Sequence, residues 1–113
     1  MAHGRDMKRR DWADARAKIA RERYCRRCGR PPPLEAAHTL GRRYDKPKPG
    51  RKTTWVNPLD VIALCSECHR RYDAHEFGIL TILTRAELDR ATALDRGYAV
   101  RRLRGPRSMG VGG

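Results

Sequence analysis

Four cysteines in two Cys-x-x-Cys pairs constrain this chain more than any other feature of its sequence. Cys25 and Cys28 form the first pair, Cys65 and Cys68 form the second, and the chain has no other cysteine. Four thiolates in two such pairs match the tetrahedral coordination that zinc prefers. Two disulfides are the alternative, but the first residues are charged and lack the apolar core of a secretory signal, which favours reduced thiols. The pattern therefore predicts a structural Zn²⁺ that joins two distant segments.

The length and hydropathy of the chain fit a small domain that depends on such an ion. The chain has 113 residues and a mean hydropathy of −0.82, which leaves a thin apolar core. Small domains of this kind commonly gain stability from a bound metal. No apolar run approaches the ~20 residues of a membrane span, so we expect a soluble, cytoplasmic protein with no membrane partner.

The charge of the chain indicates the class of partner. Lys and Arg number 26 against 13 Asp and Glu, which gives a formal net charge of +13. A strong positive excess is typical of proteins that bind the phosphate backbone of nucleic acids. A basic surface that only faces solvent is the plainer alternative. An acidic membrane surface is disfavoured, because no basic helix carries the apolar face that a bilayer requires.

The second cysteine pair lies at a predicted junction between a strand and a helix. Residues 61–64 are continuously apolar, which is typical of a strand buried on both faces. The polar, arginine-rich residues 66–76 predict a helix that begins at the cysteine pair. A second short strand over residues 34–38 ends at His38. These elements predict a small α+β domain stabilised by zinc.

Helices and a tail are expected on either side of this core. Residues 11–24 predict an N-terminal helix that Asp11 can cap, and residues 84–96 predict a C-terminal helix that opens with a capping box at Thr84. The basic residues 101–113 predict a disordered arm.

Residues 41–58 form a long basic loop or hairpin between the two strands of the core. Loops of this length in a small domain are usually functional or disordered. Tyr44 and Trp55 are expected to anchor its two ends. We expect its basic side chains to contact DNA phosphates: Arg42, Arg43, Lys46, Lys48, Arg51 and Lys52.

A second cation site is predicted beside the zinc site. Asp73 follows His69 by one helical turn, so the two side chains share a face of the predicted helix. An imidazole and a carboxylate in this arrangement can hold a divalent ion. The order of strands and helix would direct His38 toward the same face. The structural alternative for Asp73 is an ion pair with Arg70 or Arg71.

Together these motifs resemble the HNH endonucleases. The resemblance rests on a Cys-x-x-Cys-Gly segment, a strand that ends in histidine, a polar residue five positions before the second Cys-x-x-Cys, and a histidine directly after it. It covers residues 24–77. It implies a zinc-stapled ββα-metal, treble-clef-like core. The predicted N- and C-terminal helices flank this core, and the length of the chain predicts one domain over residues 1–113. A small basic chain like this one resembles phage-encoded members.

The resemblance also implies roles for individual residues. His38 lies at the position of the general base that activates water. Asp60 lies where the family usually has an asparagine that orients this histidine through the intervening loop. His69 and Asp73 lie at positions of ligands for a catalytic Mg²⁺, Mn²⁺ or Ni²⁺. Ala37 differs from the Asp or His that commonly precedes the base.

The activity that the resemblance implies is metal-dependent hydrolysis of DNA phosphodiester bonds by an endonuclease or nickase. The alternatives are a catalytically inactive zinc-dependent DNA-binding module and an RNA-binding basic zinc protein. A dimer or phage packaging proteins are possible further partners.

Overall fold

A computed structural model describes residues 10–106 of the chain. Its helices and strands are, in chain order, β1 (Arg10–Asp11), α1 (Ala13–Arg21), β2 (Glu35–His38), β3 (Lys46–Pro47), β4 (Thr54–Trp55), β5 (Val61–Leu64), α2 (Ser66–Asp73), α3 (Arg85–Leu94) and α4 (Arg96–Arg104). The small α+β class predicted from the sequence is confirmed. Within this range, no helix has both the length and the apolar character needed to cross a membrane.

Strands β2 and β5 and helix α2 form the centre of the fold as a β-β-α arrangement. The two strands are antiparallel, with Ala37 opposite Ile62 and His38 opposite Val61. Every residue of β5 is fully buried, which agrees with its continuous apolar sequence. Since β5 leads directly into α2, the second cysteine pair and His69 are held at the edge of this core.

The basic stretch over residues 41–58 folds as a hairpin. Strand β3 pairs antiparallel with β4, and β4 also pairs in parallel with β1. Tyr44 and Trp55 anchor it as expected, because the Tyr44 hydroxyl donates to Asp95 at 2.6 Å and the Trp55 indole donates to Asp14 at 3.0 Å. The hairpin is therefore fastened at both ends to helices of the body.

Helix α1 is shorter than the predicted helix over residues 11–24. Trp12 is the N-cap and makes no side-chain cap bond, whereas Asp11 accepts from the N–H of Ala13 at 3.1 Å. Ala15 and Ile19 are buried and pack this helix against the core. The predicted and observed helices otherwise differ only at their two ends, where helices fray.

The end of α2 also differs from the prediction. The helix ends at Asp73 rather than residue 76, and His75 has a left-handed φ of 64° with its N–H bonded to the Tyr72 carbonyl at 2.9 Å. A left-handed residue just beyond the last turn is a common helix stop. Gly78, which follows this turn, packs where a Cβ atom would collide with the carbonyl of Arg104.

Two helices replace the single C-terminal helix predicted over residues 84–96. Asp95 separates them and caps α4, because its carboxylate accepts from the N–H of Tyr98 at 3.1 Å. Ala99 and Leu103 are buried and dock α4 on the core. The prediction of a disordered arm is therefore wrong for residues 101–104, and the rest of that prediction falls largely on residues 107–113, outside the described range.

Glu87 in α3 joins three separate parts of the fold. The capping box at Thr84 is confirmed, and Glu87 is its third helical residue. Its buried carboxylate also accepts from Lys18 of α1 at 2.6 Å and from Arg26 of the first cysteine pair at 2.5 Å. The side chain of Lys18 is therefore largely buried. The Glu87 carboxylate is the counter-charge of Lys18 among the described residues, and it shares Arg26 with Glu22, which accepts from Nε of Arg26 at 2.8 Å.

We expect Glu87→Gln to lower the free energy of unfolding by about 3–5 kcal/mol, because it leaves Lys18 buried and unpaired and removes one of the two carboxylates that Arg26 contacts. Burial alone would raise the pKa of Glu87, but the bonds from Arg26 and Lys18 outweigh it and lower the pKa from 4.5 to about 2. A lowered pKa means that the stabilisation is complete above pH 4.5 and is lost as the pH falls toward 2. Denaturant unfolding of the zinc-loaded protein at several pH values measures both effects.

The matched control is Asp89→Asn on the same helix. Asp89 pairs with Arg85 at 3.1 Å, but both side chains are largely exposed, so we expect a loss below about 0.5 kcal/mol. Equal losses in the two variants, or a Glu87→Gln effect that persists unchanged in acid, would contradict the assigned role of Glu87.

Candidate functional site

The four cysteines come together at one corner of the β-β-α core. Cys25 and Cys28 lie in a tight turn where Gly29, at φ 80°, donates its N–H to the Cys25 carbonyl at 2.8 Å. Cys65 is the N-cap of α2, and Cys68 lies in its first turn. The two pairs are thus presented by a turn and a helix start, as the sequence predicts.

The spacing of the sulfur atoms suits a zinc ion. All four Sγ atoms lie within 4.8 Å of one another, and Cys28 Sγ is 3.8 Å from Cys65 Sγ. Four sulfurs at ~2.3 Å from a tetrahedral zinc are separated by about 3.8 Å, whereas a disulfide requires about 2.05 Å. The four cysteines are free thiols, so the cluster can hold a metal such as zinc.

The electrostatics of the thiols also favour a cation. Burial raises the pKa of Cys68 to about 12, against an opposing N–H···S bond of 3.8 Å from Arg27. Burial acts on Cys25 as well, but backbone N–H groups, first that of Cys28, outweigh it and lower its pKa to about 6. Four thiolates so close together require a positive charge at their centre.

His38 is held in one orientation at the end of β2. Its Nε2 lies 2.9 Å from Oδ2 of Asp45, and both side chains are nearly or fully buried. Asp45 also accepts from Arg10 at 3.0 Å. Because a carboxylate only accepts, the proton of the neutral imidazole lies on Nε2 and the lone pair on Nδ1. The Trp12 ring packs edge-on against the imidazole, with 5.5 Å between ring centroids.

The Asp60 carboxylate pairs with an arginine rather than with His38. Its carboxylate accepts from Nε of Arg90 at 2.8 Å and does not contact His38. Asp60 acts on the histidine only through the backbone, because its carbonyl accepts the N–H of Thr39 at 2.9 Å. The Tyr72 hydroxyl donates to the Thr39 carbonyl at 2.5 Å. The backbone that follows His38 is therefore fixed on both sides, while the carboxylate beside the ring comes from Asp45.

Carboxylates flank both ring nitrogens of His69 on α2. Nδ1 lies 2.7 Å from Glu35 of β2, and Nε2 lies 3.4 Å from Asp73. The predicted neighbours His69 and Asp73 are thus brought together, and Glu35 is added from the strand. Within residues 10–106, only the cysteines form a group of three or more side chains that could share one ion, so this site offers fewer protein ligands.

His38 and His69 open onto the same cleft of about 320 Å³. Both predicted functional histidines are therefore brought to one cavity, as the proposed chemistry requires. In the described part, every buried side-chain nitrogen has a hydrogen-bond partner. Nδ1 of His38 has no protein partner there, so this nitrogen is accessible to solvent rather than buried. The other lining residues include Asp73, His75, Arg42, Tyr98 and Arg102.

The six basic residues predicted to contact DNA are all exposed on or beside the hairpin. Arg42 borders the cleft and lies over the Trp12 ring at 5.8 Å, and Lys48 lies over the Trp55 ring at 4.6 Å. Their charges are therefore available to a ligand that covers both the hairpin and the cleft.

Two residues at this site were not singled out from the sequence. Asp45 is the single acid within the basic stretch 42–52, and that isolation was a usable signal. Arg102 lies in a segment that we interpreted as a tail, and nothing in its local sequence marks it.

Comparison with known proteins gives one match. A family model described as HNH endonuclease matches residues 25–80, which include both cysteine pairs, His38 and His69. No curated protein matches the chain, and no solved structure matches it.

Proposed function

Because residues 25–80 belong to the HNH endonuclease family, we propose that this chain is a divalent-metal-dependent endonuclease or nickase that hydrolyses DNA phosphodiester bonds. The observation that carries the proposal is the shared cleft of His38 and His69 beside the four-cysteine cluster. The family supports nuclease activity in general. The choice of DNA, the general base and the second cation are our proposals.

His38 is the proposed general base. Its Nδ1 accepts a proton from a water molecule as the water oxygen attacks phosphorus and the bond from phosphorus to the 3′ oxygen breaks. Asp45 keeps the ring in the required tautomer through its bond to Nε2, at 2.9 Å. Arg10 holds Asp45 in turn, at 3.0 Å.

His69 and Asp73 are the residues that would hold the second cation, with Glu35 near enough to assist. Mg²⁺ tolerates a site with few protein ligands because it keeps several waters. Such an ion would supply Lewis-acid stabilisation of the phosphate and of the leaving oxygen. The Zn²⁺ of the cysteine cluster has a structural role in this proposal.

The six exposed basic side chains on or beside the hairpin, of which Arg42 borders the cleft, support DNA as the partner, mostly through its phosphate backbone. Cleavage of both strands would require a second copy or another partner. A dimer and phage packaging proteins stay predictions from the resemblance.

Incubation of supercoiled plasmid with the zinc-loaded protein tests the function. We expect nicked circles in the presence of Mg²⁺, Mn²⁺ or Ni²⁺, and none without an added cation. A gel shift with no nicking in any of the three metals would indicate an inactive DNA-binding module instead. Tighter binding to structured RNA than to DNA would indicate an RNA-binding protein.

We expect Asp45→Asn to lower the cleavage rate by about 100-fold or more, because an amide can donate to Nε2 and so favour the wrong tautomer of His38. Zinc content and DNA affinity should be unchanged. Asp14→Asn is the matched control, because it removes a carboxylate that also contacts the hairpin but lies on an exposed surface. Single-turnover cleavage at wild-type rate by Asp45→Asn would remove Asp45 from the mechanism.

A further inference from the structure

Helix α4 lies outside the residues matched by the family, yet it forms part of the candidate cleft. Tyr98 and Arg102 of α4 line the cavity together with His38 and His69. The cleft is therefore completed by a helix that the family match over residues 25–80 does not include.

The environment of Arg102 is unusual for a charged side chain. Arg102 is 8% exposed, its guanidinium lies 3.7 Å from the centroid of the Tyr72 ring, and it donates to the Tyr72 carbonyl at 2.5 Å. No carboxylate among residues 10–106 forms an ion pair with it. A buried charge without a counter-charge is unfavourable, so this position is suited to an incoming anion.

The free donors of Arg102 have access to that anion. A guanidinium carries five N–H groups, and only one is seen bonded to protein. Every buried side-chain nitrogen in the described part has a hydrogen-bond partner, so the unbonded nitrogens of Arg102 are accessible to solvent rather than buried. Arg102 borders both the cleft and a smaller pocket of about 180 Å³, and His75 lines both cavities.

We propose that Arg102 binds a phosphate of the substrate strand inside the cleft, beside His38 and His69. This rests on the proposed function and adds a phosphate-binding group from outside the matched residues. The flat fork of arginine suits a phosphate, to which it can donate two parallel hydrogen bonds. The exposed hairpin cations attract the backbone in general, whereas Arg102 fixes one phosphate within the cleft.

The salt dependence of DNA binding tests this proposal. The affinity for a short duplex is measured by fluorescence anisotropy at several salt concentrations, with no added divalent cation. Loss of one phosphate contact lowers the slope of log affinity against log salt by about 0.9. We expect this change in Arg102→Gln. Arg104→Gln is the matched control, because it removes the same charge from an exposed position two residues along α4. Equal changes in both variants, or none in Arg102→Gln, would overturn the proposal.

If the Arg102→Gln variant does not fold, a second measurement on the wild-type protein tests the proposal. The side-chain Nε–H resonance of Arg102 in the wild-type protein is followed by NMR as inorganic phosphate is added. We expect this resonance to shift and that of Arg104 to stay in place. A shift of the Arg104 resonance with no shift of the Arg102 resonance would refute the phosphate site. If the protein cuts no plasmid in any metal but these changes occur, the nuclease proposal fails while the phosphate site stands. If the protein cuts plasmid but these changes do not occur, the phosphate site fails while the nuclease proposal stands.

Discussion

Replacing Cys65 with serine is expected to unfold the chain. Cys65 is 2% exposed, caps α2 and belongs to the four-cysteine cluster, so its loss removes a zinc ligand and a helix cap together. A structural zinc site contributes about 10–16 kcal/mol. This matches or exceeds the total stability of a typical domain, which is about 5–15 kcal/mol. Far-UV circular dichroism and the zinc content of the purified protein measure the loss.

Ser66→Ala is the control for this variant. It changes the next residue, also at the start of α2 but exposed, and should leave zinc content and helicity intact. A chelator should unfold the wild-type protein, and added Zn²⁺ should restore its spectrum. A chelated protein that keeps its native spectrum would show that the cysteine cluster does not require a metal.

His38→Ala should have the largest effect on catalysis, lowering the cleavage rate by about 10²–10⁴-fold because the general base is removed. Zinc content and DNA affinity should be retained, since neither the cysteines nor the exposed basic residues are changed. Single-turnover cleavage of plasmid, together with a gel shift, separates these quantities.

His75→Ala is the matched variant, because His75 lines the same cleft but belongs to the turn that ends α2. We expect it to retain at least a tenth of the wild-type rate. A His38→Ala variant that cleaves as fast as His75→Ala would mean that another group accepts the proton.

The parts of the site that could be predicted from sequence are those in which spacing along the chain fixes position in space. Cys65, Cys68, His69 and Asp73 lie within one strand-to-helix junction, so helical geometry alone places them relative to one another. His38 required only the pairing of two short strands, β2 and β5.

The rest depended on contacts between distant segments. The partner of Asp60 is Arg90, 30 residues away, and the partner of His38 is Asp45, which lies in a hairpin with no regular spacing. Local sequence gives no rule for such pairs. The arginines of α4 suggested a tail, but buried Ala99 and Leu103 supply enough apolar contact to dock the helix.

The three-way contact of Glu87 has a consequence for how the molecule opens. Arg26 and Glu87 are 61 residues apart in the chain, yet unfolding α3 would break the bonds of Glu87 to both Arg26 and Lys18 and leave Lys18 without a counter-charge among the described residues. Partial unfolding of α3 alone is therefore penalised, and α3 should open together with the first cysteine turn as one cooperative unit. Release of the metal and loss of the C-terminal helices would then be a single event rather than two.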